Sequence, residues 1–446
     1  MVGGPGLLLI LLGAIVFIVL FTAKVKWHPF IVLLLAAYGV GLAAGMEANA
    51  IISAITSGFG GTLGSIGIVI AAGTIIGFIL EKSGAALVMA NSIIKLVGES
   101  RSALAMAFTG GIVSIPVFCD SGFVILSPLN RSLAARSKQS LSVYAIALSL
   151  GLYATHVFVP PTPGPIAAAG TLNADLGIVI LLGLVVSIPS ILAGYLFAKV
   201  FASKIYIDPK PETAPHATAK PEELPSVAKS FAPILVPVIL IALKSIADYP
   251  SKPFGTGWVK TLFSFIGNPN TALIIGIFLA FLTVKKLTHV VTNDWVTEGM
   301  KDAGLIILIT GAGGALGSVL RATPINTYLG EVLGGAQLGL LLPFLLSAAI
   351  KTVQGSSTVA IITTASIISP ALGALGLASG AGPALAVLAI GAGSMTVSHA
   401  NDSYFWVVAQ FSDMSVPQAY KLQTLGTLVE GVVGIISVIV LSFFLL

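Results

Sequence analysis

The chain has 446 residues, of which 56% are hydrophobic and 9% charged, and its mean hydropathy is +1.03. Soluble domains carry about a quarter charged residues, so a soluble fold is excluded and a polytopic, all-α membrane protein is expected. The net charge of +5 comes from basic residues scattered between apolar runs, which excludes a nucleic-acid patch, and the single cysteine, Cys119, excludes an internal disulfide or a multi-cysteine metal site.

Segment 5–23 is apolar, and its lysines, Lys24 and Lys26, follow it. It therefore reads as a first span rather than a cleaved signal peptide. A spanning helix needs about 20 apolar residues. Further spans are expected at 29–45, 65–80, 141–172 (interrupted), 177–198, 231–247, 269–284, 303–320, 383–411 (interrupted) and 422–444. Threading these ten from an external N-terminus puts 17 of the 22 basic residues inside, which satisfies the positive-inside bias. Both termini are then external. Two further apolar stretches, 103–129 and 338–369, have polar centres and arms of about 13 residues, roughly 20 Å long and too short to cross. They are expected to be re-entrant hairpins, the first entering from the cytoplasm and the second from outside.

Residues 205–230 form a polar, proline-rich cytoplasmic linker between residues 1–204 and 231–446. The two halves echo each other. Residues 73–80 resemble 313–320, the hairpin tips recur about 236 residues apart, and the interrupted spans about 238 apart. Each half holds five spans, an odd number, so the second must be inserted upside down. That is the inverted-repeat plan of secondary transporters, whose broken helices bind solute near the midplane.

Chemistry concentrates at the four polar breaks. The first hairpin tip is Pro116-Val-Phe-Cys119-Asp120-Ser121-Gly122. Proline stops the first arm, and Asp120 or Ser121 either caps the second or meets the solute and its proton. The second tip is Gln354-Gly355-Ser356-Ser357-Thr358, whose hydroxyls and free N–H groups make an anion-friendly helix start. Lys351 beside it either attracts a carboxylate or snorkels towards a membrane face. Downstream, Thr363, Thr364 and Ser366 can bond back to helix carbonyls. The first interrupted span carries His156 and the run Pro160-Pro161-Thr162-Pro163-Gly164-Pro165, which cannot stay helical and must expose carbonyls. His156 either relays protons or satisfies a carbonyl. The matching break holds Ser398-His399-Ala-Asn401-Asp402-Ser403, with Asp402 and His399 the leading proton-coupling candidates. The substrate-binding set is then Asp120, Ser121, Gly122, Thr162, Gly164, Gln354 to Thr358, Asn401 and Ser403. Neither a metal nor a cofactor is expected.

The motifs PVFCDSGF, HVFVPPTPGP, KTVQGSSTVAIITT and SHANDSYFWVV, in order and spacing over nearly the whole chain, resemble those of the gluconate permease (GntP) family of bacterial proton symporters. The resemblance implies proton-driven uptake of gluconate or a related sugar acid through the inner membrane, with some members carrying D-serine, fructuronate or glycerate. It also implies inverted repeats and hairpins that move as an elevator, and by analogy a homodimer. The chain departs at Thr162, where many members have histidine, and at Cys119 and Ser121, where Phe and Val are common. Sodium coupling is the competing reading, since exposed carbonyls and hydroxyls hold sodium as readily as a proton site forms. An intramembrane enzyme lacks its motifs here, with no H-E-x-x-H or G-x-S-x-G, and a channel lacks a filter-like loop.

Overall fold

The structure is a computed structural model and describes residues 5–98, 101–209, 224–247, 254–323, 339–400 and 402–446. Most of the proposed linker, 210–223, and Asn401 lie outside the described residues. Every regular element among them is helical, as lipid demands of a backbone that must satisfy its own N–H and C=O groups. The first half contains α1 (Pro5–Val19), α2 (Pro29–Ala43), α3 (Ala48–Lys82), α4 (Ala85–Val97), α5 (Ser102–Val113), α6 (Cys119–Ser137), α7 (Leu141–Phe158), α8 (Pro163–Leu172) and α9 (Leu176–Val200). The second contains α10 (Val227–Ala247), α11 (Trp258–Ile266), α12 (Pro269–Phe281), α13 (Val296–Ala322), α14 (Leu341–Gln354), α15 (Ser357–Ile368), α16 (Gly382–Met395), α17 (Ser403–Phe411), α18 (Val416–Ala419) and α19 (Leu425–Leu445).

Among the described residues, five helical segments are long and apolar enough to cross a membrane, or seven if two bent pairs each count as one span. The sequence suggests ten. The difference lies in breaks and short helices rather than in polarity. The bent pairs turn by 45° between Ala48–Ser65 and Gly67–Lys82, and by 64° between α11 and α12. The stretch 383–411 is divided into α16 and α17, and α2 has only 15 residues.

The two polar stretches at 103–129 and 338–369 each form a pair of helices, α5 with α6 and α14 with α15, joined at the expected tips. Short caps explain the joints. Pro116 falls between α5 and α6, where no N–H is needed, and Gly355 ends α14 with φ +94°, a region that L side chains rarely adopt. The interrupted span 141–172 becomes α7, every residue of which is buried, and α8, which Thr162 precedes and Pro163 opens.

Packing is reciprocal. The second arm of one helix pair, α15, packs on α8 of the first interrupted span, and the second arm of the other, α6, packs on α17 of the second. Likewise α5 lies on α7 and α14 on α16, while α7 lies on α9 and α16 on α19. The echoed glycine segments face these units: Gly73 and Gly77 sit against Pro161 and Pro116, and Gly313 against Ile362 and Ser366. The outer ends are tied by polar contacts. Arg131 at the end of α6 donates to Asp413 (2.8 Å) and to the Phe411 carbonyl (2.9 Å), and Ser369 beyond α15 donates to the Thr171 carbonyl of α8 (3.2 Å).

Candidate functional site

The second tip and the second break meet at Lys351. Its side chain is 0% exposed, so it does not snorkel. Nζ donates to the Gly355 carbonyl, a backbone acceptor freed where α14 ends, and to Asp402 Oδ2 at 2.6 Å. Asp402 is the N-cap of α17: Oδ1 accepts from the Tyr404 N–H (3.1 Å), and Oδ2 also accepts from Ser398 Oγ (2.5 Å). A buried charge is tolerated when paired and hydrogen-bonded, and both conditions hold here. The same two segments are also bridged by His399 Nε2, which lies 2.7 Å from the Thr352 carbonyl.

Ser356 is the N-cap of α15, its Oγ accepting from the Val359 N–H at 3.3 Å. Ser357 and Thr358 follow in the first turn, where N–H groups have no partner within the helix. Across from them α6 begins with Cys119 and Asp120. Phe118 occupies its N-cap position without a side-chain cap, so Asp120 sits one residue inside the first turn, where a carboxylate still favours the helix dipole. Asp120 Oδ1 is buried and has no hydrogen-bond partner among the described residues.

These groups open on one cavity of about 390 Å³. Its lining includes Phe118, Cys119 and Asp120 from the first tip, Tyr153 and His156 from α7, Gln354 to Thr358 from the second tip, and Asp402, Ser403 and Tyr404 from the second break. Leu305, Ile306 and Ile309 of α13 form an apolar wall. The arrangement presents the Asp402 carboxylate, with Lys351 buried behind it, two helix N-termini and several hydroxyls to a volume suited to a small polar solute.

Other sequence candidates stand outside that lining. Ser121 is half-buried, and Gly122 lies against Leu152. Thr162 Oγ1 donates to the Val159 carbonyl at 2.6 Å, and Gly164 lies against Ile361 and Thr358 of α15. Ser366 bonds back to the Ile362 carbonyl, whereas Thr363 and Thr364 Oγ1 are buried without a partner among the described residues. Tyr153 and Tyr404 are the polar lining residues that sequence reasoning overlooked; the apolar ones, Phe118, Leu305, Ile306 and Ile309 among them, carry no signal in an apolar chain. Tyr153 rises from an uninterrupted apolar helix with no local signal, and Tyr404 follows the polar run; its hydroxyl donates to the Ser149 carbonyl at 2.9 Å.

A multi-pass helical protein whose broken helices enclose a polar cavity belongs to the class of solute permeases rather than enzymes. Within that class the chain is a member of the GntP permease family, whose model matches residues 6–444. It is 36% identical to a gluconate permease of Pseudomonas aeruginosa over 98% of each chain. It is 34% identical to the D-serine transporter DsdX of Escherichia coli over 97% of each. The fold is shared with the YdaH transporter of Alcanivorax borkumensis, at a TM-score of 0.65 and 16% identity over 94% of this chain and 99% of that one.

Proposed function

We propose that the protein takes up gluconate or a related small hydroxy acid across the inner membrane by proton symport. The observation that carries this reading is the buried Lys351–Asp402 pair, of which Asp402 lines the cavity. As it stands, Lys351 is neutralised by Asp402, and an entering carboxylate would leave one negative charge uncompensated in a low-dielectric site. A proton on Asp402 removes that charge. Lys351 then turns to the substrate carboxylate, which the first turn of α15 also receives. Gln354 and the hydroxyls of Ser356, Ser357 and Thr358 read the substrate's hydroxyl groups. Anion and proton thus enter together because neither alone gives a balanced site.

The movement follows the elevator pattern. Residues 1–204 and 231–446 act as inverted repeats, and the reciprocal packing of α6 with α17 and of α15 with α8 supports that reading. The unit carrying both tips shifts when loaded with both partners, and both chain termini lie outside the cytoplasm.

A second reading, an amino-acid carrier, is favoured by one feature. Asp120 offers to the same cavity a buried oxygen without a partner among the described residues, a counter-ion for the ammonium group of D-serine.

Purified protein in proteoliposomes tests these readings with labelled gluconate, D-glycerate and D-serine in sodium-free buffer, acidic outside. Accumulation of a hydroxy acid that vanishes with an uncoupler is the expected result. Accumulation of D-serine alone favours the second reading. Accumulation that ignores the uncoupler and requires added sodium overturns proton coupling and the role given to Asp402.

A further inference from the structure

Glu430 lies outside the cavity, and nothing so far accounts for it. It occupies the middle of the apolar segment Val416–Leu445, is 0% exposed, and neither carboxyl oxygen has a hydrogen-bond partner among the described residues. Its neighbours along α19 press closely on other helices: Gly426 on Leu150 and Phe197, Gly431 on Thr396 and Ala392. An ionised carboxylate without partners at that depth is strongly disfavoured, whereas a neutral acid is tolerated. The side chain is therefore held with its proton in this state.

Its helix face leads back to the site. Gln423, Thr427 and Glu430 are spaced four and three residues apart, which puts them on one side of the helical segment. Gln423 Oε1 accepts from Ser149 Oγ at 2.8 Å, and Thr427 Oγ1 accepts from the Ser398 N–H at 3.0 Å. Ser398 is the residue whose hydroxyl donates to Asp402. Hydrogen bonds thus link the Lys351–Asp402 pair through Ser398 to Thr427, whose hydroxyl donates to the Thr424 carbonyl, and Glu430 lies three residues further along the same helix.

We infer that Glu430 is a second proton-binding station of the transport cycle, loaded here and discharged when the protein turns to its other face. The inference rests on the proton-coupled reading above. Of the elements packed against α19, α16 carries no titratable side chain, α9 carries Tyr195 and the exposed Lys199, α7 carries Tyr144, Tyr153 and His156, and the helical turn Tyr420–Thr424 carries Tyr420 and Lys421.

Glu430→Gln mimics the loaded form and cannot release its proton. In proteoliposomes under a one-unit pH gradient, loss of one coupled proton lowers the steady-state accumulation ratio about tenfold. Counterflow with equal pH on both sides persists, and Glu430→Asp restores accumulation. An unchanged ratio overturns the inference, as does loss of counterflow in a variant that elutes and melts like the unaltered protein. Infrared spectroscopy separates this failure from failure of proton symport itself. A carbonyl band of a protonated carboxylic acid, present in the unaltered protein and missing in Glu430→Gln, keeps Glu430 as a proton site even where uptake ignores the pH gradient. Identical spectra overturn it.

Discussion

Lys351 and Asp402 would each be costly to bury alone, and the fold brings them to 2.6 Å of one another. Breaking a buried pair by removing one partner costs about 3–5 kcal/mol, because the survivor stays uncompensated. Lys351→Ala is therefore expected to lower the melting temperature in detergent, and a thermal scan checks it. The double variant Lys351→Met with Asp402→Leu regains most of that stability but does not transport. If the single variant melts like the unaltered protein, the pair is not a structural unit. Asp402→Asn separates binding from coupling. Counterflow of the substrate is expected to continue, while accumulation under a pH gradient is lost. The residues behind these predictions were legible in unequal measure. Asp402 stood out as an acid in an apolar span, but Lys351 stayed ambiguous because its partner lies 51 positions away. Glu430 is a lone acid in a strongly apolar helix, and only its complete burial separates it from a surface residue.

At the scale of the element, the helix start at the second polar tip depends on a single cap. Ser356→Ala removes the acceptor for the Val359 N–H, worth about 1 kcal/mol, and is expected to raise KM several-fold in uptake assays. Ser356→Asn, which can still cap, should recover the stability. Close helix contacts set a second constraint. A Cβ on Gly151 would fall 2.0 Å from the Ala107 carbonyl oxygen, so α5 and α7 meet backbone to backbone. Gly151→Ala is expected to force them apart at a cost of about 1–3 kcal/mol, read as a lowered melting temperature. The polar breaks themselves were legible because a polar run in a hydrophobic stretch has few structural explanations. The span count was less so: hydropathy records how apolar a stretch is but not where the helix bends, as between Ser65 and Gly67, or stops, as at Met395.

For the whole molecule, the proposed orientation makes a direct prediction. With Cys119 replaced by serine, a cysteine placed at either terminus should react with a membrane-impermeant maleimide added to intact cells, and one placed in the 205–230 linker should not. Labelling of the linker alone would reverse the topology and with it the two inverted halves.

The sequence by itself determined that the chain is a helical membrane protein, where its helices must fail, and which family its motifs belong to. Those properties are local: they follow from apolar run length, from proline and glycine, and from polar residues where lipid cannot hydrate them. Only the tertiary structure decided which broken ends face one another. It paired Lys351 with Asp402, placed Asp120 opposite the α15 start, and brought Tyr153 and Tyr404 to the cavity. It also left Gly164 packed on Ile361, away from the cavity lining, and buried Glu430 completely. Charge pairing and burial depend on neighbours remote in sequence, so hydropathy along the chain carries no trace of them.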